Sequence, residues 1–547
     1  MKVIIVGGVA GGMSAAARLR RLSEEAEIIV FEKGEHISFA NCGLPYYIGG
    51  VIKEREELFL QTPAAFRKRF QVDVRVENEV LSVDRAAKKV TAKDLASGRI
   101  YEESYDKLVL APGAEPVRPP LPGIGHANIF TLRTLGDTFK IRDFIDNHSS
   151  KTALVVGGGP IGLEMAENLA EAGLQVTLAE ALPQVMNTVD LEIAVLIHKN
   201  LRDRGIVLCL SDGVKSFADK SGKVLTLLAS GREIVTDFVI FAVGVRPETK
   251  LAAEAGLAVG RGIIVNEFLQ TSDENIYAIG DAIEFMNPLT GKRYVAALAG
   301  PANKQGRMVA DNIIEGNKKK YYGTLGTAVV KIFAMTVAVT GLSSKALDAE
   351  QIPYESLVIH PGSHAGYYPG ATTMTLKLLF SPADGKILGA QAAGFEGVDK
   401  CIDVISAYIS MHGTVYDLTG YEHCYAPPFS SAKDAVNMAG FVAENVLSGK
   451  VKTIQWDKLA SLGDTLYLLD VRTVEEYRCG MVSGAVNIPL DDLRARLGEV
   501  PQGRKIAVYC GVGIRSYAAV RILKQKGYGE VYNLSGGFMT YSSLQGQ

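Results

Sequence analysis

Thr152-Ala-Leu-Val-Val-Gly-Gly-Gly-Pro-Ile-Gly162, leading on to Val176-Thr-Leu-Ala-Glu180, decides the fold. The β-branched run reads as a strand, the glycines as a tight turn, and the Ala-rich stretch opened by Pro160 as a helix, followed by a second strand ending in an acid. In the pattern Gly157-x-Gly159-x-x-Gly162, with Glu180 eighteen residues on, the glycines let a pyrophosphate reach the amides of a helix N-terminus. The acid accepts hydrogen bonds from ribose hydroxyls. Ile161 lies inside the fingerprint, and Gly244 lies on the closing strand-like stretch Phe238 to Val245, so both join the candidate NAD(P) contacts. Glu180 repels a 2′-phosphate, so NADH is expected in preference to NADPH, with NADPH still possible.

The same layout occurs at the start of the chain: Lys2-Val-Ile-Ile-Val-Gly-Gly-Val-Ala-Gly-Gly12, then Ile28-Ile-Val-Phe-Glu32. Val9 stands where the middle glycine belongs, yet Gly7, Gly11 and Gly12 still allow close backbone approach. The run imitates a secretory signal. Four glycines in six residues and a second β-like stretch ending at Glu32 favour a nucleotide-binding unit instead. Tyr105 to Gly113 reads as a closing strand, and Asn275-Ile-Tyr-Ala-Ile-Gly-Asp-Ala282 follows the second unit. One dinucleotide domain (1–115 and 250–320) is therefore interrupted by another (116–249). From Tyr321 the pattern changes to strands with an amphipathic helix from Val398 to Met411, an α+β module over 321–446. Leu447 to Lys452 reads as a linker to a separate α/β domain, 453–547, with strands Leu466 to Asp470 and Ile506 to Cys510 and a helix from Arg515 to Lys526.

At 547 residues the chain holds three or four domains rather than a single binding module. With 47% apolar and 22% charged residues and a formal charge of −2, it offers no polycation for nucleic acid. No long uncharged apolar run marks a membrane span. The cysteines stand at 42, 209, 401, 424, 479 and 510, the closest pair 23 residues apart, which excludes CxxC redox pairs and zinc ribbons, and no metal is expected. Sparse cysteines suggest a reducing compartment, the cytoplasm.

Gly7 to Arg21, the Tyr105 to Gly113 strand and Ile276 to Ala282 together resemble the flavin disulfide reductases with two dinucleotide folds. The resemblance implies two Rossmann-like domains arranged as in glutathione reductase and an α+β dimerisation domain. It implies FAD in the first site, held by Gly7, Val9, Ala10, Gly11, Gly12, Glu32, Ala111, Gly113, Gly280 and Asp281. An isoalloxazine between nicotinamide and thiol gives the hydride a destination.

Ile37-Ser-Phe-Ala-Asn-Cys42-Gly-Leu-Pro-Tyr-Tyr47 places a thiol ten residues after Glu32 and just before a proline that can open a helix, whose N-terminus would favour the thiolate. The segment resembles the active site of the coenzyme A-disulfide reductases, in which one cysteine forms a mixed disulfide with CoA. By that resemblance, Tyr367 and Tyr425 reach Cys42 of the partner subunit of a homodimer and stabilise the CoA thiolate. Packing at a dimer interface is their competing reading. Ser14, Arg18, Arg21, Ser38, Asn41, Asn303 and Lys433 match positions lining the family's CoA channel, although Arg18 and Arg21 on an exposed helix could equally be solvated. Related oxidases and peroxidases carry a His in the first glycine loop, where this chain has Ala10.

Val508-Tyr-Cys510-Gly-Val-Gly-Ile-Arg515 resembles the active loop of a single-domain rhodanese, with Gly511, Val512, Gly513, Ile514 and Arg515 around the thiol. Loop amides would stabilise anionic sulfur on Cys510, which makes it a carrier of sulfane sulfur. Asp470 and Arg472 would be structural or rim residues. Cys209, Cys401, Cys424 and Cys479 read as structural. The whole implies an NAD(P)H- and FAD-dependent reductase of CoA persulfide, polysulfide or CoA disulfide. The alternatives are an NADH oxidase or peroxidase using a cysteine sulfenic acid, and a non-enzymatic FAD- and CoA-binding redox sensor.

Overall fold

Val3, Ile4 and Ile5 are completely buried in the strand Lys2–Val6, which is why that run is continuously apolar instead of alternating. It lies at the centre of a parallel sheet, in the order Ile276–Ala278, Lys107–Leu110, Lys2–Val6, Glu27–Phe31, Asp73–Arg75. The outermost of these strands, Ile276–Ala278, comes from beyond the second glycine unit, so the chain does leave the first sheet and return to it.

A second parallel sheet repeats the plan, in the order Val207–Cys209, Gln175–Ala179, Thr152–Val156, Phe238–Phe241, Ile129–Phe130. The two crossings between the sheets pair with each other as antiparallel strands, Ala114–Pro116 with Val245–Pro247. Helix Ala299–Glu315 packs closely on helix Ala10–Leu22: a Cβ on Gly306 would stand 2.4 Å from the Gly11 carbonyl oxygen.

This computed structural model describes residues 1–462 and 466–545 and divides into two compact units, Met1–Pro183 with Gly205–Gly326 and Gln184–Arg204 with Thr327–Gln547. Within the C-terminal α/β segment, 463–465 and 546–547 lie outside the described residues. The second unit contains an antiparallel sheet in the order Ala328–Ile332, Met335–Gly341, Ile387–Gly394, Thr375–Phe380, Glu355–Ile359. Helix Val398–Ser410 covers it, one residue shorter than the sequence suggests.

Helix Leu191–Asp203 belongs to this unit, although its position in the sequence lies among the strands of the second dinucleotide fold. Its anchor is a buried charge cluster. Lys377 Nζ lies 3.0 Å from Asp190 and 3.1 Å from Glu192, and Gln391 donates to Asp190 at 2.9 Å.

The rest of the unit is a parallel sheet ordered Lys452–Ile454, Val531–Leu534, Ile506–Tyr509, Tyr467–Asp470, Val486–Asn487, with helix Ile514–Gln525 against it. The expected linker is not a loose tether. Lys452 already starts a strand, Val451 is buried in the core, and the Gly449 and Lys450 carbonyls accept hydrogen bonds from Lys524 and Arg521. This module also docks on the edge strand Glu355–Ile359. The Val358 amide donates to Ser535 Oγ at 2.8 Å, Gln455 donates to the Ser356 carbonyl at 2.7 Å, and His360 Nε2 reaches the Gly536 carbonyl at 3.1 Å. Burial pushes the His360 imidazole down to about 4, so it stays neutral at the joint.

Candidate functional site

The two glycine turns are built alike. Gly7 and Gly157 have φ of +111° and +105°, and a Cβ on them would stand 2.0 Å from the Ala111 carbonyl oxygen and 2.4 Å from that of Ala242. Both conformation and space restrict these positions to glycine. A Cβ on Gly12 or Gly162 would strike the Gly7 or Gly157 carbonyl oxygen, at 1.9 and 2.0 Å, so each helix starts tight against its turn. At Gly159 nothing lies within 4 Å of where a Cβ would sit, and that side of the turn is open.

Each terminal acid braces its turn. Glu32 accepts from the Gly8 and Gly34 amides, both at 2.7 Å, and Glu180 from the Gly158 and Leu182 amides at 2.6 and 2.9 Å. Helices Ala10–Leu22 and Pro160–Glu171 start without a side-chain cap, at Val9 and Gly159, whereas Thr134 and Asp434 cap theirs. Amides left free at such a terminus favour an anionic ligand. The residues present thus fit a dinucleotide in each fold.

The Asp281 turn is held beside the first glycine turn. The Gly280 amide donates to Gln305 Oε1 at 2.7 Å, and a Cβ on Gly11 would meet Ile279 at 3.2 Å and the Ala302 carbonyl oxygen at 3.4 Å. Gly113 has φ +78°, and Arg133 anchors the neighbouring Pro112 carbonyl at 3.0 Å. In the second fold Gly244 accepts from the Val117 amide at 3.0 Å, and Ile161 is partly exposed.

Cys42 sits in the short turn Asn41–Gly43, ahead of helix Leu44–Ile48. The Ser38 amide ties the segment to the Gly8 carbonyl at 2.9 Å, and the Ala40 amide bonds to the Leu58 carbonyl at 2.9 Å. Both Asn41 and Cys42 are exposed. The expected thiolate stabilisation is not found. Although the residue is exposed, its sulfur is partly desolvated, and that desolvation first, then the carboxylates of Glu164 and Asp281, push the Cys42 thiol up. A five-residue helix has too little dipole to offset two carboxylates. Burial and the neighbouring Glu167 raise Glu164 itself to about 7. Glu164→Gln removes one source of that repulsion, so the pH midpoint of Cys42 alkylation should fall, read as iodoacetamide rate against pH; a midpoint that stays put or rises rules out Glu164 as a cause.

Of the expected CoA contacts, Ser14 and Asn303 come together, Ser14 Oγ donating to Asn303 Oδ1 at 2.5 Å. Arg18 is not simply solvated: its Nε bonds Asp311 at 2.6 Å. The Arg21 guanidinium lies over the Phe70 ring at 5.3 Å. In the second unit the Tyr367 and Tyr425 hydroxyls are 2.9 Å apart on exposed side chains, and their hydrogen bond pushes the Tyr367 phenol up. Lys433 lines a cavity of about 350 Å³ with Tyr421, His423 and Asn437.

Cys510 is buried at the foot of its loop. The Gly513 amide donates to its sulfur at 3.1 Å and Ser516 Oγ at 3.5 Å, so one loop amide, rather than a surrounding set, holds the thiol. Arg515 is forked to Glu476, both bonds 2.7 Å. Arg472 is buried on Asp470, with bonds of 2.7 to 3.1 Å. Of the four cysteines read as structural, Cys209 and Cys401 are buried, but Cys424 and Cys479 are exposed and fill no core.

The pyridine nucleotide-disulphide oxidoreductase model matches residues 1–306, and that family's dimerisation-domain model matches 327–436. The chain belongs to the pyridine nucleotide-disulphide oxidoreductases. Members of this family bind FAD and NADH. This oxidoreductase also carries a rhodanese-like domain at residues 454–544. It is 37% identical to a coenzyme A disulfide reductase of Staphylococcus haemolyticus, over 81% of the chain and 100% of that protein. The crystal structure of reduced Bacillus anthracis CoADR-RHD matches with a TM-score of 0.98 and 49% identity, over 100% of this chain and 98% of that one. An NAD-dependent persulfide reductase from A. fulgidus matches with a TM-score of 0.92 and 36% identity, over 99% and 100%. Among the described residues, no helix is long and apolar enough to cross a membrane and no His, Cys, Asp and Glu side chains gather as a metal site.

Proposed function

We propose that this oxidoreductase uses NADH to reduce coenzyme A persulfide or CoA disulfide through Cys42, with sulfane sulfur carried on Cys510, in the reducing cytoplasm. The observation that carries this reading is the exposed Cys42, tied to the first glycine turn. The next cysteine in the chain, Cys209, is buried in the edge strand of the second sheet. With no partner thiol in that fold, the second sulfur has to come from the substrate.

The Cys42 thiolate attacks the carbon-bound sulfur of CoA-S-SH, forming Cys42-S-S-CoA as the S–S bond breaks and HS⁻ leaves with its electron pair. With CoA disulfide the leaving group is CoA-S⁻. FAD, when bound, supplies the carrier by which two electrons from NADH reach the mixed disulfide. Gly7, Val9, Ala10, Gly11 and Gly12 shape its pyrophosphate site in this reading, with Glu32 at the ribose and Ala111, Gly113, Gly280 and Asp281 nearby. Gly157, Gly159, Ile161, Gly162, Glu180 and Gly244 do the same for NADH.

The Tyr367–Tyr425 pair donates a hydrogen bond to the departing CoA thiolate, in a homodimer whose sites are shared between subunits. Ser14, Arg18, Arg21, Ser38, Asn41, Asn303 and Lys433 line the CoA path. The Asp311 carboxylate paired with Arg18 weakens the pull of that guanidinium on an anion.

The deciding experiment is anaerobic NADH oxidation with CoA disulfide or CoA persulfide, against O₂ or H₂O₂ consumption with no thiol present. The reading requires CoA-dependent turnover to exceed the oxygen reactions by about a hundredfold. Faster oxidase or peroxidase turnover overturns it, and negligible turnover with every acceptor would indicate a redox sensor.

A further inference from the structure

The mouth of the Cys510 loop is poor in free positive charge. Gly511, Val512, Gly513 and Ile514 stand between Cys510 and Arg515 in the chain, the Arg515 guanidinium reaches back to the Cys510 sulfur, and Ile514 is 67% exposed. Met539, also partly exposed, lies beside the loop, its amide donating to the Gly511 carbonyl at 3.0 Å. Both nearby guanidinium groups are already matched by carboxylates, Arg515 by Glu476 and Arg472 by Asp470. A Cβ on Gly511 would stand 3.5 Å from Arg515 Nη2 and 3.9 Å from Glu476 Oε1, so the first ion pair lies against the loop itself. A third bond fixes Glu476, which accepts from the Thr473 amide at 3.0 Å as part of the capping box of helix Val474–Arg478.

We propose that Glu476 determines the donor specificity of the Cys510 loop: by neutralising Arg515 it admits sulfane sulfur from organic persulfides and disfavours the thiosulfate dianion. This rests on the reading of Cys510 as a sulfur carrier. With a persulfide R-S-SH, the Cys510 thiolate attacks the outer sulfur. A Cys510–S bond forms, the donor S–S bond breaks, and R-S⁻ leaves with the bonding pair, giving Cys510-S-SH. With thiosulfate the same attack expels SO₃²⁻ and leaves Cys510-S-S⁻. Three negative charges then have to gather beside the Glu476 carboxylate with the neighbouring guanidinium already paired. An uncharged carrier brings far less repulsion, and its apolar arm can lie on Ile514 and Met539.

The test uses the full-length, FAD-loaded protein and measures sulfur transfer to cyanide from thiosulfate and from N-acetylcysteamine persulfide. Wild type should prefer the persulfide. Glu476→Gln keeps a capping acceptor but removes the charge, so the thiosulfate-to-persulfide ratio of kcat/KM should rise about tenfold, less at high salt. Thr473→Ala loses a capping hydroxyl without changing charge and should leave the ratio in place. Equal use of both donors by wild type overturns the proposal, as does a Glu476→Gln ratio within twofold of wild type. If wild type transfers sulfur from neither donor, or Cys510→Ser transfers as well as wild type, the sulfur-carrier reading itself fails and the proposal with it.

Discussion

In the Cys42→Ser protein, NADH-driven reduction of CoA disulfide and of CoA persulfide falls by about a thousandfold or more while FAD remains bound. A serine hydroxyl cannot form the mixed disulfide, and no other cysteine is placed in that fold to substitute, because Cys209 is buried. Cofactor retention follows from how the segment is held. The Ser38 amide ties the segment to the first glycine turn at Gly8, the Ala40 and Leu60 amides close the segment on itself at Leu58 and Ser38, all through backbone atoms, and Glu32 braces the turn independently. The flavin absorbance after gel filtration and the NADH oxidation rate are read on the same sample. Residual turnover above about a tenth of wild type would exclude Cys42 as the nucleophile. Loss of flavin would instead give the segment a role in building the cofactor site.

The two dinucleotide folds were legible because their signals are local. A buried parallel strand must be an apolar run, and a turn that brings Gly7 within touch of Ala111 admits no Cβ, so strand and turn are written in adjacent residues. The return of the chain to the first sheet was legible for the same reason, since Ile276–Ala278 carries its own apolar signature. Helix Leu191–Asp203 shows where such reading stops. Its partners, Lys377 and Gln391, lie about two hundred residues away, and nothing near Asp190 or Glu192 announces them.

Electrostatics at the sites was the least legible layer. The helix after Cys42 suggests a stabilised thiolate, but burial first, and then the carboxylates of Glu164 and Asp281 from other parts of the fold, reverse the sign. Arg18 reads as a CoA contact or a solvated cation, whereas Asp311, on a helix remote in sequence, faces it. Glu476 is the intermediate case. Thr473-Val-Glu-Glu476 is a capping-box pattern that sequence alone can supply, whereas its fork to Arg515 needs the folded loop. The stretch 447–452 reads as a linker from its Gly, Ser and Lys content, because the carbonyl acceptors that fix it leave no trace in side-chain identity.

In the Cys510→Ser protein, sulfur transfer from persulfide or thiosulfate drops to background while NADH-driven reduction of CoA disulfide keeps wild-type values. The loop presents one sulfur, held by the Gly513 amide and Ser516, and a serine oxygen there cannot be persulfidated. Reduction of CoA disulfide needs the chemistry of Cys42 alone, so it serves as the internal control for folding. The control is a strict one, because the loop is built into its surroundings. The Phe538 amide donates to the Cys510 carbonyl at 2.7 Å, a Cβ on Gly537 would stand 2.5 Å from that same oxygen, and Ser535 and Gly536 next in line bond to Val358 and His360. A substitution that collapsed the loop would loosen this joint and lower thermal stability. Cys510→Ser changes one side-chain atom at a buried position and should leave the melting temperature within a few degrees. Undiminished transfer in that variant would reassign the C-terminal module as a docking domain. Parallel loss of CoA-disulfide reduction at unchanged stability would instead show that the two thiols work as one catalytic sequence.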